Sequence, residues 1–564
     1  MSSLTKKIIK GKPYFYVREC KRVNGKPKIV WTYYLGSMER LLERLTNPEP
    51  SEIAIAEFGA SAAAFDIAST LGVVEIIDRH VPKLPGRGPT VGQYLLLAAL
   101  NRCVYPCSKS RLGEWYGKTV LRRLLPMSAA QLTSQRFWDN MDRVEPEHIL
   151  AIEQELSAKA VSSFGLDLRC LLFDSTNFFT FVDSFNKRSS LPQRGHSKEG
   201  RNNLRIVGLA LLVTADGEIP LFHHTYAGNQ HDSVTFRGVI DEMATRCRQL
   251  SQEACDITLV FDKGNNSEET LDAVEKGPLH FVGSLVPTQH EDLLAIPRSK
   301  MHRLDQKQLP AVWAYRTKKV VFGVKRTVLT TFNRPLFDAQ VKTLHREIAK
   351  RQRKLEALQK SINKYRSKPR GRAPTVAGVT KTTDSIRAAR HMKDLFKVKV
   401  SERKDKLPLL KFRFDKRAWK TLKKTLLGKT ILFTDQDHWT DEQIVLGYRA
   451  QFHVEAAFRQ MKDPRFLTFR PSFHWTDQKL RVHALLCILA YLLTMLLFKK
   501  SKELAHYPHD VDALLNDLQF IRLAAVKHEN SSKISYQLEV MPPSLQKLAD
   551  ILKIQAARIP VATT

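Results

Sequence analysis

The 564-residue sequence is poor in cysteine, in acidic side chains relative to basic ones, and in long apolar runs. Its seven cysteines (Cys20, Cys103, Cys107, Cys170, Cys247, Cys255 and Cys487) are odd in number and scattered. That excludes a disulfide framework and predicts reduced thiols in a cytosolic protein. Cys103 and Cys107 are four apart, but no second pair or histidine partner follows at finger spacing, so no structural zinc site is expected. The longest apolar run, Ala484 to Phe498, has fifteen residues and is flanked by Arg481, His483, Lys499 and Lys500. It falls short of the ~20 residues of a bilayer span, which predicts a buried helix and no membrane association. The opening MSSLTKKIIKGKPYF lacks the apolar core of a signal peptide. No Gly-x4-Gly-Lys-Ser/Thr loop is present, which argues against ATP-driven chemistry and against a nucleotide cofactor. No internal repeat is visible.

What the chain has in excess is positive charge. Lys and Arg number 90 against 57 Asp and Glu, a net of +33 and a pI near 9.9. With 43% hydrophobic residues it can build cores, so general disorder is excluded, and its length predicts two to four domains. A polyanionic partner is implied, with nucleic acid foremost. The total alone would also suit a membrane-surface binder or a ribosome-like tail. Its distribution is more informative. Between Lys342 and Lys429 there are 29 Lys and Arg against 7 Asp and Glu, a local net of +22. Two thirds of the excess thus lies in under a sixth of the chain. Solvated helices normally balance their charges, so this segment calls for an anionic partner.

Along the chain, residues 9–35 alternate around Asn24-Gly25, the type I′ hairpin signal, which predicts a small β unit over 1–48. Residues 52–162 turn helical. There Thr133-Ser134 can cap a helix that turns Phe137, Met141 and Val144 inward and Gln135, Arg136 and Asn140 outward, either toward DNA or simply toward solvent. LRCLLF (168–173), LRIVGLALLV (204–213), GEIPLFHH (217–224) and DITLVF (256–261) read as strands of a mixed α/β domain. From Phe337 to Tyr365 apolar residues follow 4-3 spacing, interrupted by Arg351, which predicts a helical-hairpin arm or coiled coil over 337–366.

Asp174 in CLLFDST and Asp262 in TLVFDKGNNS stand at the ends of apolar strands. Each is either the first polar residue of a turn or a group that must reach solvent, a partner or a metal. Glu455 lies in DEQIVLGYRAQFHVEAAFRQMKD, and Tyr448, Glu455 and Lys462, seven apart, share a face of one expected helix. Glu455 and Lys462 could form a plain ion pair, and Tyr448 could be a core aromatic. Two strand-end aspartates and a helical glutamate nonetheless make an oxygen-only set of the kind hard divalent cations take. Paired Mg²⁺ held in that way activates water or a 3′-hydroxyl in phosphoryl transfer. In GHSKEGR, His196, Lys198 and Arg201 either touch phosphate or cap a loop. His223-His224 and His231-Asp232 are not needed by a carboxylate site, and Asn229 and Asp232 read as turn formers.

These blocks together resemble the DDE transposases of bacterial insertion sequences. The resemblance is to the branch of the insertion sequence four superfamily that carries a Tyr-x2-Arg-x3-Glu-x6-Lys signature and a long insertion. Tyr448, Glu455 and Lys462 match three of the four signature positions; the Arg position holds Gln451, with Arg449 and Arg459 nearby. FDSTNFF, the stretch from RGHSKEGR to QHDSVTF, and VFDKGNNS resemble the family in order and wording. The resemblance implies an RNase H-like catalytic domain, a mixed sheet with flanking helices, over 165–284 and 429–500. Asp174 would sit on its first strand, Asp262 after its fourth, and Glu455 on a later helix. A largely helical basic insertion would occupy 285–428, preceded by the β unit and a helical DNA-binding domain and followed by a C-terminal region, 501–564. It further implies Mg²⁺ on Asp174, Asp262 and Glu455, with Mn²⁺ as a substitute. DNA contacts would come from Tyr448, Lys462, Arg449, Arg459, Lys198 and Arg201. Double-stranded DNA, as element ends and target, is the implied partner, with a homodimer on the ends in a bacterial cytoplasm. A nuclease of the same fold without strand transfer, and an inactive DNA-binding regulator, are the other readings.

Overall fold

The computed structural model of the chain describes residues 2–23, 26–46, 50–82, 88–183, 185–250, 257–277, 279–469, 472–528 and 534–556. The chain divides into two compact units, Met1–Ile152 with Asp463–Thr468 and Arg481–Thr564, and Glu153–Lys462 with Phe469–Leu480.

The first unit opens with an antiparallel sheet of β1 (Ser2–Ile9), β2 (Lys12–Val23) and β3 (Lys26–Ser37). Strands β2 and β3 form as their alternation predicts, while Asn24 and Gly25 lie outside the described residues. Strand β1 is an addition to the expected pair. It joins β2 through Lys10 and Gly11, both at positive φ (48° and 79°), as a two-residue hairpin turn requires. A second sheet pairs β4 (Pro50–Glu57) with Arg522–His528, which pairs in turn with Ile534–Leu538. The segment expected as a separate C-terminal region therefore supplies two strands of a sheet begun by residues 50–57.

Helices fill the rest of this unit. Val91–Val104 begins with a reciprocal Thr90–Gln93 capping box and is buried along most of its length. In Ser134–Met141, Phe137, Met141 and the following Val144 are buried while Gln135 and Arg136 are exposed. Thr133 occupies the cap position, but its side chain makes no cap hydrogen bond. The apolar run at 484–498 lies inside a 29-residue helix, Asp477–Ala505, long and apolar enough to cross a membrane by length and composition. Its most apolar window is 94% buried, as a core helix would be.

The second unit is mixed α/β, built on a nine-stranded sheet. Its strands are β5 (Cys170–Phe179), β6 (Ile206–Thr214), β7 (Pro220–Ala227), β8 (Ile257–Phe261), β9 (Leu279–Ser284), β10 (His302–Arg303), β11 (Val312–Val321), β12 (Val324–Asn333) and, after an excursion, β15 (Lys429–Thr434). Their order is β10-β11-β12-β15-β9-β8-β5-β6-β7, with β5, β8 and β9 parallel and the other pairs antiparallel. Every residue of β6 and β8 is buried, which explains their unbroken apolar runs. Helix α1 (Asp232–Leu250) covers one face through Phe236, 4.5 Å from Phe173 and 5.1 Å from Phe261.

Two expectations change here. Strands β10 to β12 extend the central sheet, so residues 302–333, expected inside a largely helical insertion, belong to the sheet. Lys318, Lys319, Lys325 and Arg326 interrupt the alternation of β11 and β12 and mask their strand character. The excursion proper begins with α2 (Arg334–Ser367), capped by Asn333, and continues through α3 (Val376–Ile386), β13 (Phe396–Glu402), β14 (Pro408–Phe414) and α4 (Lys416–Thr425). Its 4-3 apolar seam is not a coiled-coil seam. Leu344, Ile348 and Leu355 pack with Met392, Phe396 and Trp419, and Leu358 and Ile362 with Val379 and Leu410. A hairpin and shorter helices thus cover the face that a second long helix would have covered.

Candidate active site

The centre of the second unit is set by strand register. Strands β5 and β8 run parallel, and their last paired residues are Phe173 and Phe261. Asp174 and Asp262 come next on each, so the two carboxylates leave adjacent strands at the same level. Side chains alternate along a strand, so Asp174 faces away from the side on which Phe173 meets α1. Both aspartates are half-buried. Asp262 ends its strand and turns into a short 3-10 segment, Lys263–Asn265. Asp174 does not end its own, because β5 continues to Phe179, paired with β6 throughout. It is the parallel pairing with β8 that stops there.

Tyr448, Glu455 and Lys462 do not share one helix. The chain forms α5 (Asp441–Arg449) and α6 (Phe452–Lys462), separated by a turn in which Gln451 N bonds Tyr448 O at 3.2 Å and His453 N bonds Ala450 O at 2.9 Å. These contacts span three residues rather than four, which tightens the chain and redirects it. From α5, the Tyr448 hydroxyl donates to Ser284 Oγ, at the end of β9, at 2.8 Å. Burial pushes the phenol up to about 12, opposed by Ser284 and reinforced by the nearby charges of Asp262 and Glu455 and by a hydrogen bond with Asp262. Tyr448 thus lies within electrostatic reach of Asp262 and Glu455 while its hydroxyl is held by Ser284. Glu455 is exposed in the first turn of α6, where a carboxylate suits the helix dipole.

Lys462, in the last turn of α6, donates to Thr176 Oγ1 at 2.7 Å, lies 5.3 Å over the Phe178 ring and is 3.8 Å from Glu199. Seven residues of helix put about 10 Å between Lys462 and Glu455. Its anchor is therefore β5, two residues beyond Asp174 on the same strand face. Lys198 folds onto the same strand, its Nζ donating to Ser175 O at 2.6 Å and its backbone N–H to Asn177 Oδ1 at 3.1 Å. Arg201 stacks over Phe179 at 4.3 Å. Arg449 reaches Gln308 O at 3.4 Å, and Arg459 is exposed on α6. Gln451, at the signature's Arg position, is buried at the helix break, so it cannot stand in for a phosphate-facing Arg there. His223 is taken up elsewhere, in a buried cluster with Glu153 (2.5 Å) that also holds Arg246. Thr176 and Ser284 are the polar partners that residue patterns missed. Only the period of two in DST hinted at Thr176.

Ligand sites are typically cavities of about 300–1,000 Å³, and one of ≈ 640 Å³ opens beside Tyr448, lined by Lys263 and Ser284 on the sheet side and by Thr343, Glu347 and Arg390 from the excursion. Among the described residues, no three His, Cys, Asp or Glu side chains are gathered into a ready-made metal cage. By chemistry, a hard divalent cation would take carboxylate oxygens of this kind: Asp174 and Asp262 leave adjacent strands, and Glu455 lies on the helix whose far end is bonded to β5.

Residues 166–493, more than half of the chain, match the family model of the transposase DDE domain. The chain belongs to the DDE transposase family. The matched segment contains all three acids together with Tyr448 and Lys462. Among solved structures, this DDE transposase is similar to the chain of a piggyBac transposase synaptic complex with hairpin DNA, at 9% identity and a TM-score of 0.37, over 83% of this chain and 82% of that one. No curated protein matches.

Proposed function

We propose that this DDE transposase binds the terminal inverted repeats of its own element, cleaves DNA there, and joins the freed 3′-hydroxyl to target DNA. The observation that carries the proposal is the strand register that brings Asp174 and Asp262 to the same level on adjacent parallel strands. The order β7-β6-β5-β8-β9, three antiparallel strands followed by two parallel additions, supports an RNase H-like reading of the sheet. Asp174, Asp262 and Glu455 would hold Mg²⁺, or Mn²⁺ in its place. The bound metal supplies activation of water or a 3′-hydroxyl and stabilisation of the leaving oxygen. Lys462, fixed by Thr176, offers its ammonium to a DNA phosphate beside the acids. Tyr448 stays protonated and donates from the floor of the site. Arg449, Arg459, Lys198 and Arg201 add positive charge around it.

The excursion supports the DNA reading on its own. On β13 and β14, Lys397 stands opposite Arg413 and Lys399 opposite Lys411, all four exposed on one face. Like charges directly opposed in a sheet destabilise it, and a phosphate backbone would relieve the repulsion. Two ends must be brought together, which favours a homodimer on DNA, acting in the bacterial cytoplasm. The test is a cleavage assay on terminal-repeat DNA with Mg²⁺ and a chelator control. Asp174→Ala, Asp262→Ala and Glu455→Ala should each abolish cleavage while end binding stays within a few-fold, roughly under 1 kcal/mol. Normal cleavage by Glu455→Ala would refute the assignment, and cleavage without transfer into a plasmid target would reduce it to a nuclease.

A further inference from the structure

The second unit also carries a patch that the acidic centre does not use. Just beyond β5, Phe181 (46% exposed) stacks on Phe473 (55% exposed), with ring centroids 5.2 Å apart and planes at 21°. Trp475 is 67% exposed and Phe185 91% exposed. Large rings gathered in the open mark an interaction surface, because burying each would stabilise the fold by roughly 1.5–3 kcal/mol.

The rings sit on a fixed frame. Phe181 N donates to Ser472 O at 3.1 Å, Thr180 N to Arg205 O at 2.8 Å, and the Asn186 side-chain amide to Trp475 O at 2.8 Å. The patch also joins the site's cations. Arg201 lies 4.3 Å over Phe179, which meets Phe181 edge to face at 5.5 Å, and Lys187 and Arg188 are exposed nearby in sequence. From Asp174, β5 covers about 17 Å to reach Phe179.

Flat apolar faces among cations fit a polyanion whose own flat faces are open. A second copy of this chain, itself at +33, lacks the charge to match. Duplex DNA has the charge, but its base faces are covered by neighbouring bases. We propose that Phe181, Phe473, Trp475 and Phe185 form a stacking platform for unpaired bases of a DNA strand running from the acidic centre. This rests on the reading of the chain as a DNA-processing enzyme. Stacking on aromatic side chains tolerates any base, so the platform would hold strands without regard to sequence.

The test compares the full chain with a Phe473→Ala/Trp475→Ala variant by fluorescence anisotropy, using a labelled thymidine homopolymer and a labelled duplex. The variant should bind the homopolymer about 10-fold more weakly or worse and the duplex within about twofold, with Trp475→Phe near the parent on both. Both side chains are exposed, and a melting curve on each variant checks the fold. An equal loss on duplex, or no loss on the homopolymer, overturns the platform. So does a variant that dissociates to monomers in sedimentation with homopolymer binding intact, which assigns the patch to a second copy. If the parent chain binds neither DNA, the DNA reading itself fails, an outcome distinct from loss of the platform alone.

Discussion

Tyr448 shows how much one side chain's surroundings decide. Its phenol, raised to about 12 by burial and by the acids around it, keeps its proton across the working range of most enzymes. Tyr448→Phe retains the ring and removes the hydroxyl that donates to Ser284 Oγ. Cleavage should fall about 2- to 10-fold, as expected for a lost hydrogen bond between neutral groups, with end binding preserved. Single-turnover cleavage against end-binding affinity separates the two effects. Glu57 makes a different case, remote from the acids in sequence and in the other unit. Burial raises its carboxyl to about 7, against hydrogen bonds from Ser61 Oγ and the Ala60 and Ser61 N–H groups. A carboxyl raised on folding stabilises fully below its unfolded value near 4.5, and that contribution is lost as pH rises through about 7. The stability of the first unit should therefore drop between pH 5 and 8, by on the order of 3 kcal/mol at most, and its melting temperature with it. Glu57→Gln, which cannot ionise, should flatten that slope in calorimetry.

Among the elements, the hairpin β13–β14 carries opposing demands. Replacing Lys399 or Lys411 by Glu converts an opposed like pair into an attractive one, worth about 0.2–1 kcal/mol to the fold. The same change should weaken duplex binding, so melting temperature and affinity should move in opposite directions. Both falling together would deny the hairpin a part in DNA contact. At this scale the sequence was only partly legible. LLF before Asp174 and LVF before Asp262 announced two buried strands correctly. That β5 runs on through Ser175–Phe179 was hidden, since Ser175, Thr176 and Asn177 look like a turn until β6 pairs with them. The break between α5 and α6 falls at Ala450 and Gln451, with no Gly or Pro to mark it. The seam of α2 repeats as a coiled coil would, and spacing alone cannot tell a second helix from the hairpin and helices that cover it.

For the whole molecule, the +33 charge and its concentration in the excursion lead to a bulk property. Affinity for duplex DNA should fall on the order of 10³-fold or more between 50 and 200 mM salt, if six or more phosphates are neutralised. A shallow slope in a salt titration would show that most of these cations face solvent instead. The mixed α/β class could be read from the sequence because it rests on local apolar runs. The division into units could not, because the first unit draws on residues 1–152, 463–468 and 481–564. That interleaving also imposes a timetable. Strand β4 finds its partner only when Arg522–His528 has been made, roughly half a minute or more later at 5–20 residues per second. The second unit's sheet, complete by Thr434, can close while the ribosome is still at work. On a nascent chain the acidic centre would thus be assembled before the sheet that joins the two ends of the first unit, leaving β4 an open edge for a chaperone to shield in the interval.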